Sequence, residues 1–594
     1  MIRKQFSFST SSGRWSQFIS AALLLISAPA AAGLFDAAVS GQTTTSDSAT
    51  VAPAPAAEPQ PTTASTEGAA EATGNGAAAG TAPTAAAPEP TAVERIVEKS
   101  GLTFDLNGHI RGDMFIGMKP GHSQNTTDDS PVEIKSGYGE LGLKLKVSKA
   151  PYGDAFGEVR LQGGYLNDQH YLGQPSDTPP SGTDIGEFQT RVKLREAYVN
   201  FYGGSYFDLR FGYQIIMWGK ADGINPTNNL TPIDLRVRSP EEDDRRLGNL
   251  ALKAGLNIPK TPIRIEGVWV PMYAPSYMPK IGLSEDIVFD KPKYPDMDIA
   301  HGTYAAKIHL LLPQVEMSMS YLYGYSLQPG LSHSADNLEE VANQIATNNG
   351  QADPANYIPV DNAQVHIART AYQHQVVGFD FSTDIAGKVG LRGEFAYKDP
   401  LDFKEAKPPY EDDYDYQVAV PFPELYYVLG IDKEFGNVSL IAQYVGKTVL
   451  KWKEAEENDE GTNMGDLNAT ISNALNGSST TPVPNGTITG MENAIYRELA
   501  LKNRLIQGQT VKIQHAFSGR VEWKALHDTL SLSAFGMVNF STWEWLVYPK
   551  IAYNITDAMS VSVGGEIYQG PKDTLFGYIE EILSAGYTEL KITF

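Results

Sequence analysis

A closed antiparallel β-barrel of about eighteen strands, set across a membrane, is the fold this sequence predicts, and three observations predict it. From Leu102 onward, segments of about 10 to 14 residues alternate apolar and polar side chains, the period of a strand with one apolar and one polar face. The connections between these segments alternate short and long, which puts the long loops at one end of the sheet. The chain finishes in mid-strand, at "YTELKITF", with Leu590, Ile592 and Phe594 on one side and polar residues between them. A last strand that closes a cylinder against the first is expected to stop where the pairing stops.

Composition narrows the classes. The chain has 594 residues, a formal net charge of -23 and no cysteine. Its pI of about 4.9 argues against a nucleic-acid binder, which needs a basic face. Without cysteine there is no disulfide scaffold, thiol catalysis, zinc–thiolate site or acylated lipoprotein anchor. Mean hydropathy is -0.27. After the N-terminal segment no window approaches the roughly 20 consecutive apolar residues that a spanning helix needs. A membrane crossing must then use a closed barrel, the other structure that satisfies every backbone polar group in lipid.

The N-terminus reads as an export signal over residues 1–32. Arg3, Lys4 and Arg14 form its basic region and "FISAALLLISAPAAA" its apolar stretch, which Pro29 interrupts. Ala30 and Ala32, two apart before Gly33, form the cleavage pattern. Residues 33–91 are a low-complexity linker, rich in Ala, Pro, Thr, Ser and Glu from 41 onward. Such a composition buries no core, and its prolines favour an extended spacer. It is expected to be a flexible tether, with a periplasmic or cell-wall contact as its functional use. Residues 92–101 are a short helix or a further piece of linker.

The barrel is expected over 102–594. In "LTFDLNGHIRGDMFIG", Phe104, Leu106, Ile110, Met114 and Ile116 share one face, and Asp105, Asn107, His109, Arg111 and Asp113 share the other. In "YFDLRFGYQI", Phe207, Leu209, Phe211, Tyr213 and Ile215 oppose Asp208, Arg210 and Gln214. In "GNLALKAGLNI", Leu250, Leu252 and Leu256 oppose Asn249, Lys253 and Asn257. The short connections, such as "GGSY", "DIAGK" and "FGN", are turn-like. The others, 119–134, 167–187, 217–247, 271–300, 327–370, 399–420, 448–510 and 569–580, are long and polar, and one, "NFST", is brief.

The polar face carries charge two residues apart: Arg111/Asp113, Glu158/Arg160, Arg264/Glu266, Arg392/Glu394 and Arg520/Glu522. "TRVKLREAYVNF" adds Arg191, Lys193 and Arg195 on one side of a strand. Facing lipid at mid-bilayer, each Arg or Lys would cost about 2–4 kcal/mol. These residues, with Arg210, Gln214 and Lys253, are therefore expected to line the inside. Charge of both signs points to a water-filled lumen, or to ladders that brace a plugged one.

The most distinctive stretch is "RFGYQIIMWGKADGINPTNNLTPIDLRVRSPEEDDRRLG". A strand ends at Trp218-Gly219. An Asn-Pro-rich loop follows, with Asn225, Pro226, Asn228, Asn229, Pro232 and Pro240, and then a dense charged run. Prolines limit the freedom of such a loop and asparagines hold turns. Folded inward, it would set Arg236, Arg238, Arg245 and Arg246 against Glu241, Glu242, Asp243 and Asp244 at a constriction. Outside the pore, the same charges would simply be solvated.

Here the sequence resembles a family of Gram-negative, porin-like outer-membrane barrels, mostly of undefined substrate. In that family a strand ending Q-x-x-x-W-G, here Gln214 to Gly219, runs into an Asn-Pro-rich segment, here "INPTNNLTPID". The resemblance covers 102–594, and it implies the fold and not the solute. The alternation ending in Phe594 likewise resembles the C-terminal assembly signal of bacterial outer-membrane proteins. That implies recognition of Leu590, Ile592 and Phe594 by the barrel-assembly machinery.

Two further loops carry helical patches. Leu338, Val341 and Ile345 align in 334–349, and Ile495, Leu499 and Lys502 or Leu505 align in 491–505. Each is expected to cap or partly plug the mouth. "YEDDYDY", residues 410–416, could take a divalent cation shared with lipopolysaccharide phosphates, or be a solvated acidic run. No G-x-S-x-G or H-E-x-x-H is present and the ten histidines are scattered, so no catalysis and no cofactor are expected. The expected function is passive diffusion of small hydrophilic solutes or ions across the outer membrane. The alternatives are a dedicated exporter or importer of a polysaccharide or organic acid, and, in another class, an outer-membrane hydrolase or adhesin.

Overall fold

The computed structural model describes residues 101–118, 132–165, 189–234, 237, 239–277, 287–333, 365–385, 388–401, 419–453, 499–571 and 574–594. The export segment, the linker, the 334–349 patch and "YEDDYDY" lie outside them, as do Arg236 and Arg238.

The strands, in chain order, are β1 (Thr103–Met118), β2 (Val132–Lys149), β3 (Gly153–Tyr165), β4 (Gln189–Gly203), β5 (Phe207–Gln214), β6 (Asn249–Asn257) and β7 (Ile263–Val270). Then come β8 (Ile287–Phe289), β9 (Thr303–Leu311), β10 (Val315–Tyr325), β11 (Gly330–His333), β12 (Val365–Thr370), β13 (Gln373–Ile385) and β14 (Val389–Pro400). The last are β15 (Glu424–Phe435), β16 (Val438–Val449), β17 (Ile513–Ala525), β18 (Leu530–Asn539), β19 (Glu544–Thr556), β20 (Met559–Gln569) and β21 (Ala585–Thr593). Eighteen of them form one sheet; β8, β11 and β12 make a separate three-stranded sheet within the long connections.

Each barrel strand pairs antiparallel with the next in sequence, and β21 returns to β1, from His109↔Thr593 to Gly117↔Ala585. The sheet is therefore closed, with no unpaired edge. All eighteen expected strands are present. The small sheet and the helix α1 (Leu575–Leu583) add order that period-two patterning did not reveal.

Side chains alternate as the sequence predicts. On β1, Phe104, Leu106 and Ile110 are exposed on the outside while His109, Arg111 and Asp113 are buried inside. The same holds on β4, where Val192, Leu194 and Val199 face out. An apolar outer belt over a polar interior is the signature of a barrel that crosses lipid. Among the described residues no helix is long and apolar enough to do so. Aromatic residues flank the belt, with Phe201, Tyr202, Tyr206 and Trp523 exposed towards the short-turn rim and Phe540 and Trp543 at the other.

One part of the inner face differs from expectation. Charge of both signs forms a buried mid-height belt that includes Arg111, Glu140, Arg160, Glu266, Lys307 and Glu394. Above this belt, towards the long-loop rim, comes an apolar band. Val268 and Val270 follow Glu266, Ala396 follows Glu394, and Ala516 lies mouthward of Arg520, all three sites being buried. The reason is what they pack against, a loop inside the barrel.

Candidate functional site: a loop across the lumen

The chain leaves β5 early because a side chain ends the ladder. The Ile215 amide donates to Glu196 Oε1 at 2.8 Å instead of to a strand partner. Glu196 faces inward because a bulge in β4 shifts the register between Glu158 and Val159 of β3, so Arg195 and Glu196 both reach the lumen. Gln214, fully buried, donates to the Ala251 carbonyl at 2.8 Å. The chain then turns inward with Trp218, whose indole donates to Glu266 Oε1 at 2.9 Å and lies 5.5 Å from the Lys307 ammonium. Trp218, Ile216 and Leu230 pack with Val268, Val270, Leu322 and Ala396 of the near wall.

Gly219 follows with φ +118, and a β-carbon there would come within 2.5 Å of Glu394 Oε1. The pair Trp218-Gly219 thus serves two needs, an anchor and a close approach to a carboxylate. Gly219→Ala is expected to destabilise the barrel by more than ~1 kcal/mol, read as a lower heat-modification temperature. An unchanged transition would mean that the approach to Glu394 relaxes freely.

Glu394 of β14 is fully buried and organises the crossing. Its carboxylate accepts from the Lys220 amide, the Ala221 amide at 2.6 Å and the Thr227 hydroxyl at 2.9 Å. The Asn225 amide nitrogen reaches the same carboxylate at 2.9 Å. Lys220 Nζ pairs with Glu316 of β10 at 2.7 Å, and Asp222 with Arg520 of β17 at 3.0 Å. In the eighteen-strand ring β17 is diametrically opposite β5. Ile224, fully buried, ends the crossing in the apolar wall of Val428, Phe535, Tyr548 and Tyr568, which Phe576 of α1 also joins.

The return limb is tied to the outgoing one. Asn229 donates to the Pro226 carbonyl at 3.0 Å, Thr231 to the Ile216 carbonyl at 2.5 Å, and the Asp234 amide to the Arg245 carbonyl at 2.6 Å. Glu242–Arg245 forms a single 3-10 turn, and its Asp244 meets the other side of the barrel. Asp244 pairs with Arg111 of β1 at 2.6 Å and with Arg160 of β3. Glu241 pairs with Lys591 of β21 at 2.5 Å, and Arg245 with Glu566 of β20 at 3.1 Å. Burial alone would raise the carboxyl of Asp244, but Arg111, Arg160 and Arg195 hold it well below the usual range.

Of the expected opposition of loop arginines to loop acids, Arg236, Arg238 and the Glu242 side chain lie outside the described residues. Arg246 does pair with Asp243 of the run, at 3.0 Å, with Asp243 exposed. Asp244, Glu241 and Arg245 instead find partners on the wall, because wall strands supply opposite charges at the height the turn reaches. The strand residues predicted to line the inside do so as bracing pairs. Arg195 lies 3.6 Å from Glu158, Lys253 pairs with Glu266 at 3.0 Å, Arg264 with Asp208 at 2.8 Å and Arg392 with Asp432 at 2.5 Å. Arg210 donates to Asn200 at 2.7 Å and covers the Tyr198 ring at 4.2 Å. Arg191 and Lys193 share the inward side of β4 opposite exposed Val192 and Leu194. Gln443 of β16 exchanges hydrogen bonds with the Asp222 backbone at 2.7 and 2.9 Å; it, Glu316, Asp222 and Asp432 were not foreseen, since single polar residues carry no spacing signal.

Of the mouth patch expected at 491–505, residues 499–506 are described and helical. Leu499, Leu505 and Ile506 are buried, and Asn503 exchanges hydrogen bonds with the Leu331 backbone at 2.8 Å. That helix caps part of the mouth. Among the described residues no group of His, Cys, Asp or Glu is placed to hold a metal.

A family model described as "Protein of unknown function (DUF1302)" matches residues 16–565. No curated protein matches the sequence. Solved structures similar to this chain include OccK9 (OpdG) of Pseudomonas aeruginosa, at 8% identity over 83% of this chain and 97% of that one, with a TM-score of 0.42. OccAB2 of Acinetobacter baumannii is 10% identical over 83% and 97%, TM-score 0.41. A BenF-like porin of Pseudomonas fluorescens is 9% identical over 83% and 98%, TM-score 0.41. At these identities and scores nothing about solutes is carried across.

Proposed function

The chain belongs to the DUF1302 family, whose description assigns no activity, and we propose that this member is an outer-membrane channel narrowed by its own β5–β6 loop. The observation that supports this reading is the crossing itself. One loop is held by Glu394 and Arg520 on the far wall and by Arg111, Arg160, Glu566 and Lys591 on the other side. Fixed charges of both signs inside low-dielectric walls set an electrostatic filter for small hydrophilic solutes and ions. In this reading the protein catalyses nothing. It sits among lipopolysaccharide after delivery by the barrel-assembly machinery.

The apolar band above the charged belt favours a narrower variant, in which the channel is a substrate-specific importer or exporter and not a general pore. Loop, helix α1 and wall pack there through Ile224, Phe576, Tyr548 and Tyr568, leaving less open cross-section than a charge-lined tube would. Planar-bilayer recording separates the cases. The purified full-length protein is expected to give small, uniform ohmic steps. Large steps would mark a general pore. Silence from correctly folded protein would sink the channel reading and bring back the hydrolase or adhesin alternatives.

A further inference from the structure

Between the mouth elements and the crossing loop lies a cavity of about 150 Å³. Its loop side is the Asn-Pro segment, which contributes Asn225, Asn228, Asn229 and Thr231. Its wall side comes from the consecutive strands β13 to β18, with His374, Lys398, Glu424, Lys447, Gln514 and Met537 among the residues. Gln507 and Gln509 of the mouth connection border it as well. Carboxamide, hydroxyl and charged side chains outnumber apolar ones around it.

Charge and hydrogen-bonding capacity are both left over in this cavity. Lys398 Nζ lies 3.9 Å from the Glu424 carboxylate and makes no hydrogen bond among the described residues. Glu424 is already engaged by Lys447 at 3.3 Å and by the Gln509 amide at 2.9 Å. Two ammoniums share one carboxylate, so the described lining carries one net positive charge. The Tyr426 ring is taken up by both ammoniums, at 5.7 and 4.8 Å. Among the carboxamides, Asn225 is spent on Glu394 and the Ala221 carbonyl. The Asn229 nitrogen donates to the Pro226 carbonyl at 3.0 Å, and the Gln514 nitrogen to the Gly508 carbonyl. The side-chain oxygens of Asn229 and Gln514 accept no hydrogen bond among the described residues, and the Asn228 oxygen is buried without a partner. Polar groups left without partners are costly, and a ligand that supplies the missing ones recovers that cost on binding.

These leftovers specify a class. Carboxamide oxygens without donors call for hydroxyls, the one group that gives a donor and adds no charge. A single net positive charge calls for one carboxylate. A hydrocarbon body would strand the oxygens, an amine would meet two ammoniums, and a neutral polyol would leave the charge unanswered. A cavity of ~150 Å³ is large enough for a benzene-sized molecule, which limits the ligand to a short carbon chain. We propose that this cavity binds a small polyhydroxylated monocarboxylate, of the aldonate kind. The carboxylate accepts from Lys398 Nζ, and the hydroxyls donate to the side-chain oxygens of Asn228, Asn229 and Gln514. Lys447 stays with Glu424 and with the Gln507 carbonyl at 3.0 Å, and adds its charge without leaving them. The proposal names the solute class of the substrate-specific channel and rests on that reading for its use in transport; the binding rests on the cavity.

The test uses purified full-length barrel and glycerate, with propionate, glycerol and aminopropanediol as controls of matched size. Propionate keeps the charge and lacks the hydroxyls, glycerol keeps the hydroxyls and lacks the charge, and aminopropanediol reverses the charge. Calorimetric titration is expected to show saturable glycerate binding, with each control bound at least tenfold more weakly. Lys398→Gln is expected to weaken glycerate at least tenfold, to the level of glycerol, with Lys398→Arg retaining most of the affinity. Asn228→Leu should weaken glycerate severalfold while leaving propionate unchanged. Propionate or glycerol binding as tightly as glycerate, or glycerate affinity unchanged in a folded Lys398→Gln barrel, overturns the proposal. Should Lys398→Gln fail to fold, the wild-type ranking of the four solutes still decides. Bilayer recording distinguishes the two readings. A conducting channel that glycerate neither binds nor blocks removes this site and keeps the channel. A silent barrel that still binds glycerate removes the channel and keeps the site.

Discussion

Asp244→Asn is expected to free one end of the crossing loop, raising single-channel conductance severalfold and moving selectivity towards anions. Asp244 is the carboxylate between Arg111 at 2.6 Å and Arg160, both buried on the barrel wall. Breaking a buried ion pair by removing one partner costs about 3–5 kcal/mol, because the remaining charge keeps its burial and loses its counter-charge. Glu241–Lys591 and Arg245–Glu566 would then have to hold the turn alone. The simplest relief is for the turn to move away and let water reach the two guanidiniums. They would stand beside the ion path, which is why anions gain.

Reversal potentials at about 0.01 M salt, where the Debye length is roughly 30 Å, should show the shift most clearly, and it should shrink at 1 M. Unchanged conductance and selectivity in a folded variant would mean that the turn does not border the ion path. The acid response has a definite sign. Burial raises the Asp244 carboxyl, but Arg111, Arg160 and Arg195 outweigh it and depress the folded value well below the ordinary one. Its contribution is therefore fully present above the ordinary Asp pKa of about 3.9 and is lost only as pH falls through the depressed folded value. Wild-type protein should keep this contact at pH 5, so mild acid should not reproduce the Asp244→Asn phenotype.

Deleting Phe594 is expected to abolish accumulation of heat-modifiable barrel in the outer membrane. In the folded barrel Phe594 extends the closing seam, its amide donating to the Gly108 carbonyl at 3.0 Å and its carbonyl accepting from Gly108 at 2.8 Å. The ring sits over Gly108, where an added β-carbon would lie 3.0 Å from it, and faces outward in line with exposed Leu590 and Ile592. Losing two backbone hydrogen bonds at the end of a ladder costs only about 1–3 kcal/mol, too little to unfold a closed barrel. A large defect in cells would therefore come from recognition of the strand end during assembly. The comparison that separates the two is refolding into detergent micelles. There the truncated chain should still reach the heat-modifiable form. Normal outer-membrane levels of the truncated protein would remove the signal role, and failure in micelles as well would make Phe594 a stability residue.

The barrel was legible because its information is local. Phe104, Leu106 and Ile110 alternating with Asn107, His109 and Arg111 states which side meets lipid, and that alternation recurs through all eighteen strands. The inward position of Arg160, Glu266 and Glu394 follows from the same period, since charge cannot face the hydrocarbon cheaply. Trp218-Gly219 and the prolines after it marked the loop that matters, because a rigid turn has to be written into the residues that make it.

Where that loop goes was not legible. Glu394 collecting Lys220, Ala221 and Thr227, Asp222 meeting Arg520, and Asp244 lying between Arg111 and Arg160 join residues from about 80 to 300 positions apart, with no periodicity to connect them. The sequence by itself determined the strands, their faces and the rim that carries the long loops, all set by the period of a single strand against lipid. Only the tertiary structure decided which wall charges the loop takes, that an apolar band lies above the charged belt, and that Lys398 and His374 share a cavity with Met537. Those follow from closing the sheet into a ring, which sets strands from distant parts of the chain face to face across one lumen.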